Sequence, residues 1–195
     1  FIAFTSKTGS SVSMQMDATT ETSIQEKDNK VSFLNVNGNT DVVYTPLANG
    51  IKEEIIINQS SENSDYVFDI VTVNATPRKT LEGGYSRFFY DTEGRYQFHL
   101  EKPFAVDGKG VRTEEISMQI RQSKEEANKY QIALRIRPDW LKSKDRAYPI
   151  IIDPTIITDT SAEFVLGTLN RLKDTGSGLS PNLETYYQEL PVDQY

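Results

Sequence analysis

The chain has 195 residues, 37% of them hydrophobic and 25% charged, with 28 acidic against 21 basic side chains and a formal net charge of −7. This length suits one domain with a sizeable core, and the acidic balance offers no basic stripe for nucleic-acid phosphates or for an anionic membrane. The absence of cysteine removes disulfides, thiol nucleophiles and thiolate metal sites, and no run approaches the roughly 20 apolar residues of a membrane helix.

Period-two alternation, the mark of a strand with one buried face, dominates the chain from its start. Val12, Met14 and Met16 alternate with polar neighbours. Val31 and Phe33 do the same before a slip to Val36, which predicts a bulge or bend ahead of the turn Asn37-Gly38. Asn49-Gly50 reads as a tight turn launching the strand Ile51 to Ile57. Tyr66 to Val73 is apolar on both faces and belongs near the centre of a sheet.

Tyr85 to Tyr90 and Tyr96 to Leu100 form a hairpin across Asp91-Thr92-Glu93-Gly94, where the aspartate caps the turn and the glycine takes positive φ. A second hairpin sets Ile116, Met118 and Ile120 against Tyr130, Ile132, Leu134 and Ile136, with a solvated outer face. Helix is confined to a turn at Pro138-Asp139-Trp140-Leu141 and another over 123–128. Tyr148 to Ile152 is a further buried strand, with Pro149 suited to its start. The pattern predicts an all-β chain, an antiparallel β-sandwich of about ten strands with little helix.

The texture changes after Asp153-Pro154, so the expected organisation is a sandwich over 1–158 and an extension over 159–195 with one or two further strands. The chain begins at Phe1, which fits a processed segment and, with it, export.

Several ordered blocks run through this frame: Asp41-Val42-Val43-Tyr44 with Asn49 to Ile57, then Lys102-Pro103-Phe104-Ala105-Val106-Asp107-Gly108, then Pro138-Asp139-Trp140-Leu141 and Arg146 to Thr155. Together they resemble the β-rich region of large secreted bacterial cell-surface proteins, the wall-associated and YD-repeat (RHS-like) kind. The tail from Phe164 is similar to segments that precede LamG-like lectin domains. The resemblance implies secretion, a place on the bacterial cell surface and no catalysis.

Candidate chemistry is thin. His99 is the sole histidine and sits on the polar face of its strand, with no nucleophile-elbow pattern to serve it. The loop carboxylates Asp91, Glu93, Asp107 and Asp174 are the candidate ligands for calcium, the only cation or cofactor that the residue types suit. Tyr85, Tyr90, Trp140, Tyr186 and Tyr187 are the rings that could stack on a ligand. Glu53 and Glu54 point to opposite faces and make no local acid pair.

The expected function is that of a non-catalytic structural or adhesive module, not an enzyme. Its expected partners are neighbouring domains, like subunits joined through terminal strands, or glycans, with no nucleic acid and no membrane insertion. A carbohydrate-binding sandwich and a glycoside hydrolase are the competing readings.

Overall fold

The computed structural model describes residues 2–6, 9–16, 22–81, 84–158, 162–166 and 186–187. In chain order the first strands are β1 (Ile2–Ser6), β2 (Ser11–Met16), β3 (Ser23–Lys27), β4 (Lys30–Leu34), β5 (Thr40–Leu47) and β6 (Gly50–Ile57). They are followed by β7 (Asp65–Val73), β8 (Thr76–Lys79), β9 (Tyr85–Tyr90), β10 (Tyr96–Leu100), β11 (Phe104–Val106) and β12 (Arg112–Thr113). Then come β13 (Ile116–Gln122), β14 (Lys129–Ile136), the single helical turn α1 (Pro138–Leu141), β15 (Ile150–Asp153), β16 (Ile156–Ile157), β17 (Ala162–Leu166) and β18 (Tyr186–Tyr187).

All the strand pairings are antiparallel, and they build two sheets. One runs β13-β14-β7-β2-β1-β17-β18. The other runs β12-β11-β15-β6-β16-β10-β9-β8, with β5, β4 and β3 laid in succession on the far side of β6. The inward faces meet in one apolar core that takes Met14, Phe68 and Ile132 from the first sheet and Ile55, Phe98 and Ile152 from the second. The chain is thus the antiparallel all-β sandwich that the alternation implies.

Both expected hairpins form. In the pair β13–β14, Ile116, Met118 and Ile120 stand opposite Ile136, Leu134 and Ile132. The slip before Val36 is a turn in which Asn35 adopts a φ of 58°. The segment 123–128 is loop rather than helix, a short connection in which the Ser123 hydroxyl accepts from the amides of Glu125 and Glu126 and Lys129 returns to pair with Ser123.

Gly50 is not a turn residue. It opens β6 opposite Leu47, and a Cβ there would lie 2.1 Å from the Ile156 carbonyl oxygen, so β16 is pressed against bare backbone. The segment 150–157 is in effect one strand along β6: Ile150 pairs with Ile57 and Ile156 with Ile51 without slip. Pro154 falls in the middle, opposite Glu53, where it has no N–H to give. On its other edge this strand meets β11 first and β10 afterwards.

The expectation that the apolar ends complete a neighbouring molecule's sheet is corrected here. β1 and β17 pair with each other from Ile2↔Leu166 to Ser6↔Ala162, so each saturates the other's edge within the chain.

Candidate functional site: a cationic cleft at the open edge of the sandwich

Each sheet has an edge strand on the same side of the molecule, β13 in the first and β8 in the second. Between them opens a cleft of about 660 Å³, lined by Thr80 and Gly84 of the β8–β9 connection, Tyr85 of β9, and the stretch from Met118 to Lys124. The volume falls within the roughly 300–1,000 Å³ of ordinary ligand clefts.

Tyr85 ties the two sheets together across it. Its hydroxyl donates to Gln122 Oε1 at 2.7 Å, and its ring packs edge-on against Tyr130 at 5.7 Å between centroids. Tyr130 meets Phe89 in the same way at 6.2 Å, and Phe89 stacks on Phe98 at 4.6 Å. The cleft wall is thus the end of an aromatic chain that runs through the core, a rigid mounting for a surface site.

The charge of the lining departs from that of the chain. Arg121 and Lys124 are the charged side chains among the described residues of the lining, whereas the chain as a whole carries 28 acids against 21 bases. Arg121 donates to the neutral Gln119 carboxamide at 2.9 Å. Lys79, outside this lining, pairs with Tyr85 in the β8–β9 ladder. A smaller cleft on the same strand behaves differently: Glu114, Glu115, Arg135 and Arg137 line it, and Arg137 is neutralised by Glu115 at 2.9 Å.

The sequence-derived candidates do not converge. Of the stacking candidates, Tyr85 lines the cleft. Tyr90 lies under the Arg78 guanidinium at 3.9 Å, and Trp140 under that of Arg146 at 4.7 Å in the helical turn. Of Tyr186 and Tyr187 only the backbone of β18 is described, and Asp174 lies outside the described residues.

Asp91 and Asp107 build two copies of one turn. The Asp91 carboxylate accepts from the amides of Glu93 and Arg95 and from the Arg95 side chain. That of Asp107 accepts from Lys109, Val111 and Arg146. Desolvation alone would raise both carboxyls, but these donors outweigh it and hold each below its ordinary value. Both carboxylates therefore have their lone pairs committed to N–H groups. Glu93 pairs with Arg95 at 2.9 Å, and no group of three His, Cys, Asp or Glu suited to a metal occurs among the described residues.

His99 is half-buried rather than free on a polar face. Its ring stacks on Phe88 at 5.0 Å, and Nδ1 lies 2.5 Å from the Tyr96 hydroxyl. Glu53 is fully buried on the core side of β6, facing Tyr44 across the ladder. Burial pushes its carboxyl up to about 8; Tyr44 eases this and the charge of Asp153 adds to it, yet neither oxygen has a partner in hydrogen-bonding geometry.

Arg121 and Lys124 were not legible as site residues. In the sequence they are the polar face of a strand and the start of its loop, and only the approach of β8 and β9 makes them the wall of a cleft. The one available signal was Tyr85.

No protein-family profile and no solved structure matches this chain. It is similar to the tRNA nuclease WapA of Bacillus subtilis (strain 168), with 28% identity over 146 residues that cover 71% of this chain and 6% of that protein. The tRNA3(Ser)-specific nuclease WapA of Bacillus spizizenii matches equally, with 28% identity over 146 residues. The tRNA(Glu)-specific nuclease WapA of Bacillus subtilis subsp. natto is 27% identical over 170 residues, 78% of this chain and 7% of that protein. The chain thus spans 6% to 7% of the length of these relatives.

These names correct the expectations drawn from composition and from the resemblance. The relatives are nucleases, which overturns the readings of a non-enzymatic structural or adhesive module, of a sugar-binding sandwich or glycoside hydrolase, and of an RHS-like surface region with a lectin-type tail. They are named for tRNA, which overturns the exclusion of nucleic acid. That exclusion rested on net charge, and a sum over 195 residues does not report the sign of one cleft. No helix among the described residues is long and apolar enough to cross a membrane.

Proposed function

We propose that this chain is a segment of a tRNA-directed nuclease, and that it serves the part of the activity that does not depend on which tRNA is attacked. The observation that carries the reading is the evenness of the match. Two proteins named for different tRNAs, tRNA3(Ser) and tRNA(Glu), align with the chain at 28% and 27% identity, and one named for tRNA in general aligns at 28%. A segment that chose the tRNA would be expected to follow one of them more closely than the others.

The test is direct. The longer protein that contains this chain, purified and incubated with total tRNA, is expected to cut it into discrete fragments on a denaturing gel. The same protein lacking residues 22–158 is expected to lose most of that cutting while leaving the choice of tRNA unchanged. Intact tRNA with the complete protein overturns the proposal, and so does a change in which tRNA is cut after the deletion.

A location at the bacterial cell surface is part of the same proposal. It is supported by the resemblance of the blocks Lys102 to Gly108, Pro138 to Leu141 and Arg146 to Thr155 to the β-rich region of large secreted bacterial surface proteins. Fractionation of the source cells with an antibody against the sandwich checks it, and a purely cytoplasmic pool overturns it.

A further inference from the structure

We propose that the meander β3–β6 opens as a unit of its own, and that Glu53 is the proton-operated latch that holds it to the rest of the second sheet. The neutral acid keeps the meander closed, and the ionised acid releases it.

Three observations meet at one point of the sheet. The first is topological. Residues 23–57 run as a continuous meander, with β3 paired to β4, β4 to β5 and β5 to β6. Among the described residues, its ladder to the other strands of the second sheet is the seam between β6 and 150–157. A stretch contiguous in sequence and joined along one line is suited to opening at a lower free energy than the whole fold.

The second is a gap in that seam. Thr158 donates its amide to the Asn49 carbonyl at 2.8 Å, and the register from Ile156↔Ile51 to Ile150↔Ile57 runs without slip. In an antiparallel ladder every second residue turns its main chain toward the same neighbour, so positions 156, 154, 152 and 150 face β6. The Glu101 amide, which donates to the Thr155 carbonyl from the opposite side at 2.8 Å, agrees with this phase. Position 154 is a proline, so the Glu53 main-chain carbonyl faces a nitrogen without a hydrogen.

The third is the Glu53 side chain itself, which is fully buried with neither oxygen in hydrogen-bonding geometry. Tyr44 on β5 and Asp153 on the other neighbouring strand are the titratable groups that act on it. Lys52 and Glu54 flank it on β6 and point to the outer face, where Lys52 meets Glu54 at 2.9 Å and Asp153 at 3.5 Å. Tyr66 and Tyr130, the buried tyrosines of the facing sheet, are raised by burial and by neighbours other than Glu53. Ionisation therefore sets an unpaired charge in a dry ladder beside a second acid. The break at Pro154 is where water reaches that charge at the smallest loss of hydrogen bonds. Tyr44 belongs to the meander and Asp153 does not, so opening also parts the two acids.

The test is hydrogen exchange followed by mass spectrometry on the 195-residue chain between pH 6 and 9, with each rate corrected for the base catalysis of free amides. In this range the closed meander holds a proton that the open one has released, because burial keeps the closed carboxyl up at about 8. Opening of residues 23–57 is therefore expected to rise at least about tenfold relative to 66–73 and 129–136 in the first sheet. Glu53→Gln, close in shape and without a charge, is expected to abolish that excess. Pro154→Ala supplies the missing N–H and is expected to slow exchange across 23–57 while Glu53 still titrates.

Exchange that rises equally in both sheets overturns the proposal, since Glu53 then acts on global unfolding alone. An excess in 23–57 that survives in Glu53→Gln overturns it as well, because the latch is then another group. So does Pro154→Ala exchanging as fast as the unaltered chain, which removes the seam as the place that yields.

Discussion

Asp107 and Arg146 form an ion pair sealed beneath the β11–β12 turn, with Oδ2 and Nη1 3.1 Å apart and the aspartate side chain wholly inaccessible. The arginine also lies over the Trp140 ring at 4.7 Å. One contact thereby joins the turn after β11, the helical turn α1 and the approach to β15, which are separate blocks in the sequence. Removing one partner strands the other in a dry setting. Asp107→Ala is expected to lower the urea midpoint clearly, and Arg146→Lys to lower it in part, since a lysine keeps charge but loses the planar fork and the ring contact. Asp65→Ala, at an exposed pair with Arg135, is expected to change little. The folded Asp107 carboxyl lies below its ordinary value of 3.8, so its contribution is full above that pH and disappears as the pH falls toward the folded value. Acid titration followed by tryptophan fluorescence checks this, Trp140 being the sole tryptophan.

Glu53 works in the opposite direction. Its folded value of about 8 lies above the 4.5 of an ordinary glutamate. Between those limits the folded chain holds a proton that the unfolded chain has released, so stability is greatest near pH 4.5 and falls as pH rises, flattening above about 8. The slope from this group is at most about 1.4 kcal/mol per pH unit. Glu53→Gln is expected to remove its share of the decline between pH 6 and 9 while preserving shape, and Glu53→Leu to make the protein more stable at pH 9. Urea melts across that range measure it, and an unaltered slope in Glu53→Gln contradicts the assignment.

Gly50 tests the close approach of β16 to β6. Gly50→Ala drives a methyl group to within 2.1 Å of the Ile156 carbonyl oxygen; the Ile157 Cδ1 at 3.0 Å could turn away, but the backbone carbonyl could not. The expected cost is about 1–3 kcal/mol or more. Gly38→Ala meets nothing within 4 Å and carries only the strain of its φ of +71°, about 1 kcal/mol. The larger drop in melting temperature should therefore fall on Gly50, although Gly38 is the turn glycine.

Phe89 and Phe98 stack at 4.6 Å with no exposure to solvent. Phe89→Ala is expected to cost about 3–5 kcal/mol, transfer and cavity together. Because Phe89 also supports Tyr130, and Tyr130 supports Tyr85, the same substitution is expected to loosen the wall of the cleft. Protection of the Tyr85 and Gln122 amides from hydrogen exchange provides that second readout.

The strands were legible wherever one face of a strand is buried and the other wet. In β2 and β13–β14 the period of two is written residue by residue and the observed registers follow it, whereas in β9–β10 the register shifts between Tyr96 and Phe98 and buries Gln97, which the alternation had put on the polar face. Asp91 was legible as a turn former for a similar reason, since an aspartate three residues before a positive-φ glycine acts within its own loop; Asp107, read as a calcium candidate, stands in the same relation to Gly110. Local chemistry of this kind requires no distant partner.

What the sequence by itself determined is therefore an all-β chain, its hairpins and the composition of its core, because alternation and turn chemistry act over two to eight residues. The tertiary structure alone decided the rest. It placed Gly50 against a carbonyl 106 positions away in sequence, stranded Glu53 between Tyr44 and a proline that has no N–H, and turned β1 and β17 toward each other. It also gathered Arg121 and Lys124 with Tyr85 into one cleft. Charge sums and strand periods are properties of a line, whereas a site depends on which edges the two sheets leave open and on the sign of the few side chains that meet there.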